Sequence, residues 1–184
     1  MKKLLVMWMA VGLGFLQASV SVAVGSHKQD HKIWNSYIDS RRELEKQTHE
    51  LVSKKWIDEK TISKIHLDLE LARLDKKDAQ FDFLIEHHPE RIDRKKGLDD
   101  FANLEWSSKD EENLAHNDKK YAQKISEINQ LERKYEALDG RSTFESNLSD
   151  VKNTVEYRSI QDRFHDMVSK LDASWQELKQ DIKK

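Results

Sequence analysis

Histidine is the side chain best suited to hold a transition metal or move a proton near neutral pH. Eight of the 184 residues are histidine. His27 and His31 stand four apart in "GSHKQDHK". On a helix this spacing puts both imidazoles on one face, as in H-x3-H metal pairs. Asp30 is adjacent, and proteolytic processing just upstream would free an α-amine. Amine, amide and imidazole nitrogens together suit Cu(II) or Ni(II). His27 and His31 are therefore the candidate metal ligands. The tightest version needs cleavage after Val24, which leaves Gly25-Ser26-His27 at the new terminus. The competing reading is two solvated histidines in the first helical turn.

The other histidines carry weaker signals. His87 and His88 are neighbours, and neighbours on a helix point about 100° apart, so they do not share a metal. Near a helix C-terminus they complement the dipole when protonated. His49-Glu50 opens like a zinc-protease motif, but position 53 is serine, so the motif is absent. His66, His116 and His165 are isolated and read as helix-surface residues.

Asp75, Asp78 and Asp82 form a carboxylate cluster with Lys76 and Lys77 among them and no glycine for a calcium loop. They read as a solvated, ion-paired face. Five glycines are too few for a phosphate loop or a nucleophile elbow. The chain has no cysteine, which removes thiol catalysis, thiolate zinc sites and disulfides together. Asn147-Leu-Ser149 is a glycosylation sequon, relevant to a eukaryotic secretory pathway. These residues predict no enzyme and no cofactor.

The elements that position these residues begin with the N-terminus. Lys2 and Lys3 precede an apolar run from Leu4 to Leu16, followed by "QASVSVAVGS". Basic, apolar and small-residue segments in this order predict a signal peptide over 1–25, of a bacterial type. Cleavage after Ala23 or after Gly25 fits the small-residue rule. The run is short for a membrane span, which needs roughly 20 residues. An uncleaved N-terminal anchor is the alternative. No cysteine follows the run, so a bacterial lipoprotein anchor is excluded. The expected location is periplasmic or secreted. Basic and acidic residues are mixed in sign along the chain and sum to a net charge of −2, with no basic field for nucleic acid. No polybasic patch predicts a membrane contact after cleavage.

After Gly25 only Gly97, Gly140 and Pro89 punctuate the chain. Charged residues make up 36%, and the apolar residues between them recur at helical spacing, which argues for long helices rather than disorder. The predicted fold is all-α: a single domain over 26–184, an elongated antiparallel helical bundle or set of helical hairpins with coiled-coil-like seams. Helices are predicted over about 30–55, 59–87, 109–139 and 143–182, with an irregular connector over 88–108.

Ile33, Tyr37, Leu44 and Leu51 form the stripe of the first helix. Trp56 and Ile57 close it, and Asp58 is the predicted N-cap of the second. The second helix has two apolar faces. Ile62, Ile65, Leu69, Ala72, Ala79 and Phe83 line one; Leu67, Leu71, Leu74, Phe81 and Ile85 line the other. Such a helix needs two neighbours, from its own chain or a second subunit. Pro89 ends it. Leu98, Phe101, Leu104 and Trp106 predict a short helix in the connector, either capping one end of the bundle or offering a binding feature.

Ser108-Lys-Asp-Glu111 reads as a capping box for the third helix. Tyr121, Ile125, Ile128, Leu131, Tyr135 and Leu138 then form a narrow seam. A tight joint is predicted at Asp139–Ser142, with Gly140 left-handed at C′ and Ser142-Thr-Phe-Glu145 as a second capping box. In the fourth helix the stripe Phe144, Leu148, Val151, Val155 is out of phase with the stripe from Phe164 to Ile182. A break or a change of partner is predicted near Tyr157.

"FHDMVSKLDASWQEL" (Phe164 to Leu178) resembles one helix of a spectrin-type repeat. Over those fifteen residues the resemblance implies three-helix packing. In size, leader and helicity the chain also resembles small helical periplasmic chaperones, but their Leu-Thr-x-x-Gln signature is absent. The expected function is non-enzymatic: binding a protein partner, or self-association as a homo-oligomer, through amphipathic helix faces, as a chaperone-like or envelope adaptor protein. The alternatives are metal binding or sensing through His27 and His31, and a secreted effector or immunity factor.

Overall fold

The structure is a computed structural model that describes residues 9–98 and 104–181, with side chains over 27–98 and 104–178. Side chains of the leader, Phe101 and Ile182 lie outside the described residues. The fold is all-α. Six helices are present among the described residues: α1 Met9–Lys55, α2 Lys60–His87, α3 Ser108–Asn117, α4 Lys119–Glu136, α5 Arg141–Lys152 and α6 Val155–Asp181.

The helix expected to start near Asp30 begins at Met9 instead, and Gly12, Gly14 and Gly25 do not interrupt it. The joint after Trp56 is real: a 3-10 turn, Ile57–Glu59, separates α1 from α2. Asp58 lies inside that turn and does not cap α2; Glu59 occupies the cap position without a side-chain hydrogen bond.

α2 packs on α1 along one face and on α4 along the other. Contacts with α1 descend along α2 as they rise along α1. Trp34 stacks on Phe81 (4.3 Å between centroids), Arg42 reaches Asp75, and His49 meets Ser63 and His66. On the α4 side, Leu69 and Ala72 join Ile128, Arg73 bonds Glu132, and Gln80 bonds Tyr121. The two-faced helix thus finds both its neighbours within its own chain. α6 lies on α1, and its Phe164, Val168, Trp175 and Leu178 enter a core shared with α1, α2 and the connector.

The connector is not helical where it is described beyond the 3-10 turn Pro89–Arg91. Ile92 and Leu104 pair in an isolated antiparallel bridge, and Leu98 is fully buried. Arg94 anchors this segment. Its guanidinium forms two hydrogen bonds to the carboxylate of Asp30, at 3.1 and 2.7 Å, and lies over the Trp175 ring. Asp30 is fully buried, so its charge depends on that partner.

Two long predicted helices are each broken. The third divides at Asp118, whose carboxylate accepts from the backbone N–H groups of Lys120 and Tyr121 and so starts α4. The capping box sits one residue earlier than expected, on Ser107 and Asp110. The reason is competition for the acids. Arg91 forms a fork with Asp110 and holds its carboxyl well below the usual range, with Ser107 adding hydrogen bonds. Glu111 is drawn away by Lys76, Tyr121 and Trp106.

The fourth predicted helix divides at Asn153–Thr154, a few residues before Tyr157. The Thr154 hydroxyl donates to the Val151 carbonyl and accepts from the Tyr157 N–H. The Asp139–Ser142 joint exists, but its chemistry differs from expectation. α4 closes at Ala137, and Gly140, at φ 82°, is the N-cap of α5 rather than C′ of α4. Any side chain there would strain a left-handed backbone. Ser142 then falls inside α5, and Glu145 is engaged with Tyr135 and Arg141.

Replacing Arg94 by Met leaves a buried carboxylate unpaired. Urea unfolding at pH 7 is expected to show a loss of about 3–5 kcal/mol, most of it recovered in the double variant Asp30→Asn, Arg94→Met.

Candidate functional site

The structure separates the two predicted metal ligands by their partners. His27 Nδ1 lies 4.0 Å from Asp30, whose carboxylate is already held by Arg94. His31 Nδ1 lies 3.2 Å from Asp82 on α2, and its ring meets the edge of Phe81. Asp30 cannot serve as a third ligand without abandoning its buried guanidinium. Among the described residues no group of three or more His, Cys, Asp or Glu side chains is placed to hold a metal ion.

The aspartate cluster is ion-paired with groups from other helices. Asp75 and Asp78 receive Arg42 of α1; Asp75 also receives Lys124 of α4, and Asp78 accepts from Trp34 Nε1. Lys76 turns instead to Glu111. These acids cross-link three helices. His87 packs on Phe83 one turn back; His88 also lies against that ring and is 3.6 Å from Glu90. His116 and His165 are exposed as expected.

His49 and His66 depart from expectation. His49 on α1 is buried, and His66 on α2 is half-buried. His49 Nε2 and His66 Nδ1 are 3.1 Å apart, and His49 Nδ1 is 2.9 Å from the Ser63 hydroxyl. The result is a Ser–His–His hydrogen-bond chain across the α1–α2 interface. Phe144 of α5 stacks on His49, and Tyr135 of α4 lies against His66. Four helices therefore meet at one polar chain in an otherwise apolar core of Val52, Ile62, Ile65, Phe144 and Val151.

Burial is the first cause that lowers the His49 pKa to about 4; His66 and Lys152 push the same way. Burial also lowers that of His66. Both rings are neutral at pH 7. The spacing that could have revealed them is present in the sequence. His49 precedes Val52 by three, and His66 follows Ile62 by four and precedes Leu69 by three. Both lie on buried stripes.

A second feature runs along the α1–α6 seam. One open groove of about 540 Å³ is lined by Lys28, Gln29, Lys32, Ile33, Ser36, Leu171 and Ser174. Another of about 220 Å³ includes Ser40, Leu44, Gln47, Ile160, Phe164 and Met167. On α1 these positions recur at 29, 33, 36, 40, 44 and 47, and on α6 at 160, 164, 167, 171 and 174. Steps of three and four keep them on one face of each helix, so the two grooves follow one another along the α1–α6 seam. Ile160, Met167 and Leu171 are half-buried along its floor. Leu171 belongs to the stripe that periodicity predicts from Phe164 to Ile182, but periodicity does not show that part of the stripe stays open.

No protein-family model matches the chain, and neither a curated protein nor a solved structure is significantly similar to it. No described helix is long and apolar enough to cross a membrane.

Removing the Ser63 hydroxyl leaves His49 Nδ1 buried without its partner. Ser63→Ala is expected to cost about 1–3 kcal/mol in chemical denaturation at pH 7.5 with the helical circular dichroism unchanged.

Proposed function

We propose that this chain is an exported, non-enzymatic helical protein that binds a protein partner along the α1–α6 groove. In this reading 1–25 is a cleaved leader, and the remainder is an elongated antiparallel helical bundle in the periplasm or outside the cell. The observation that carries the reading is the groove: an apolar floor of Ile33, Leu44, Ile160, Phe164, Met167 and Leu171 between polar rims. It extends over α1 from Lys28 to Gln47, roughly 28 Å at 1.5 Å per residue. That length fits an amphipathic helix of about five turns laid into the seam, the mode in which apolar anchors recur every three or four residues.

Lys28 and Lys32 rim one end and are exposed. The other end carries both Glu43 and Arg163. The partner helix is therefore acidic at the end that meets the lysines. A second copy of the chain is the competing occupant. Self-association through α2 loses its motive, because α1 and α4 cover both faces of that helix.

In-cell photo-crosslinking tests the site. A photoreactive residue at Leu171 is expected to give a discrete adduct that Lys28→Glu with Lys32→Glu abolishes. The same probe at exposed Gln123 of α4 is expected to give none. Equal labelling at both positions overturns the groove, and an adduct at twice the chain mass replaces the partner by a second copy. Export is tested separately: N-terminal sequencing of the protein from the periplasm or medium is expected to begin at Val24 or Ser26.

A further inference from the structure

We infer that the His49–His66 pair is an acid-sensitive latch that joins α1 to α2, α4 and α5 while it carries at most one added proton.

The proton accounting follows from the atoms. The 3.1 Å contact between His49 Nε2 and His66 Nδ1 requires one N–H and one bare nitrogen on that axis. If His49 Nε2 donates, His49 Nδ1 accepts from the Ser63 hydroxyl. If His66 Nδ1 donates, His49 Nδ1 donates to Ser63. Both neutral arrangements satisfy the chain. A first added proton is accommodated at His49 Nδ1 in one tautomer or at His66 Nε2 in the other, and the inter-ring hydrogen bond survives. A second proton places two N–H groups head to head on two cations. The rings must then separate, and α1 and α2 separate with them.

The charges around the pair are mixed in sign. His49 faces His66 and Ser63 on α2 and Lys152 on α5, a cation that opposes protonation. His66 faces Glu70 and Arg73 on its own helix, Glu145 and Lys152 on α5, and the Tyr135 ring on α4. Glu70 and Glu145 favour protonation while Arg73 and Lys152 oppose it, and burial outweighs all four. On α1, Glu45 lies near Arg41, Glu70 and Lys152.

The pH dependence has a definite direction. Unfolded histidines bind protons near pH 6.5, whereas the folded pair refuses them until lower pH. The pair's contribution is complete above pH 6.5. It is lost as pH falls from 6.5 toward about 4, the window set by His49. Glu45 works in the opposite sense, because burial raises its pKa and acid then favours the folded state. A comparison with a variant lacking the pair cancels Glu45.

Two measurements test the latch. The first is urea stability at pH 7.5, 6.5, 5.5 and 4.5 for the wild type and for His49→Phe with His66→Leu. Between pH 6.5 and 4.5 the folding constant of the wild type is expected to fall at least roughly tenfold more than that of the variant. Parallel curves overturn the proposal. The second needs no variant: imidazole NMR titration together with amide exchange of the wild type. His49 and His66 are expected to titrate well below 6.5. Amides over 48–55 and 62–67 are expected to lose protection in acid before those around Trp34 and Phe81. Ordinary titration near 6.5, or simultaneous loss of protection at both regions, falsifies it.

Discussion

A buried charge must find its opposite, and Asp30 shows how much of a fold that requirement can organise. The Asp30 carboxylate has no exposure to solvent, and Arg94 is the cation that holds it. Arg94 belongs to the connector after α2, a stretch with little regular structure of its own. Satisfying Asp30 pins that stretch against α1. The same guanidinium lies over Trp175 of α6, Trp175 meets Phe81 of α2, and Phe81 stacks on Trp34 of α1. One ion pair is thus the first link in an aromatic column through three helices. Dispersion and burial supply most of the stabilisation in such a column. The ion pair sets its register, because losing either partner strands the other in an apolar place.

The opposite core solves a different problem with a different device. Val52, Ile62, Ile65, Phe144 and Val151 surround a polar chain rather than an ion pair. Neutral imidazoles can be buried there because each nitrogen on the shared axis has a partner, and a hydroxyl completes the set. The contrast matters chemically. A guanidinium is a fixed charge at any accessible pH, and it is the group that meets Asp30 in the aromatic core. Imidazoles do not share that property. The two cores of one chain are therefore held by different devices, although both rest on α1.

What could be read from the sequence follows the range of the interaction that decides each feature. The helical class, the joint after Trp56 and the two faces of α2 rest on periodicity and local breakers, which are visible in a short window. The phase change near Tyr157 signals the break at Asn153–Thr154, whereas the break at Asp118 has no such signal, because Asp is tolerated inside helices as well as at their ends. The capping box slipped by one residue because Arg91, sixteen positions before Ser107, selects Asp110 over Glu111. In the sequence Asp30 stands out only as a neighbour of two histidines, since nothing local marks it as the mate of Arg94. His27 and His31 attracted attention through short spacing, yet they face different carboxylates. His49 and His66, seventeen residues apart, meet only once α1 and α2 have folded back on each other.

The groove and the histidine pair share α1 and are separated by about one turn of it. Leu44 and Gln47 line the groove; His49 and Val52 face the other core. The last turns of α1 are held on one side by α6 and on the other by α2 and α5. If the inner side lets go, those turns keep only their α6 contacts, and the end of the groove near Glu43 and Arg163 is no longer braced from behind. The Lys28–Lys32 end remains braced by the aromatic column and the Asp30 ion pair. The α1–α6 seam therefore runs beside two cores held by different devices, an ion pair in one and a pair of imidazoles in the other.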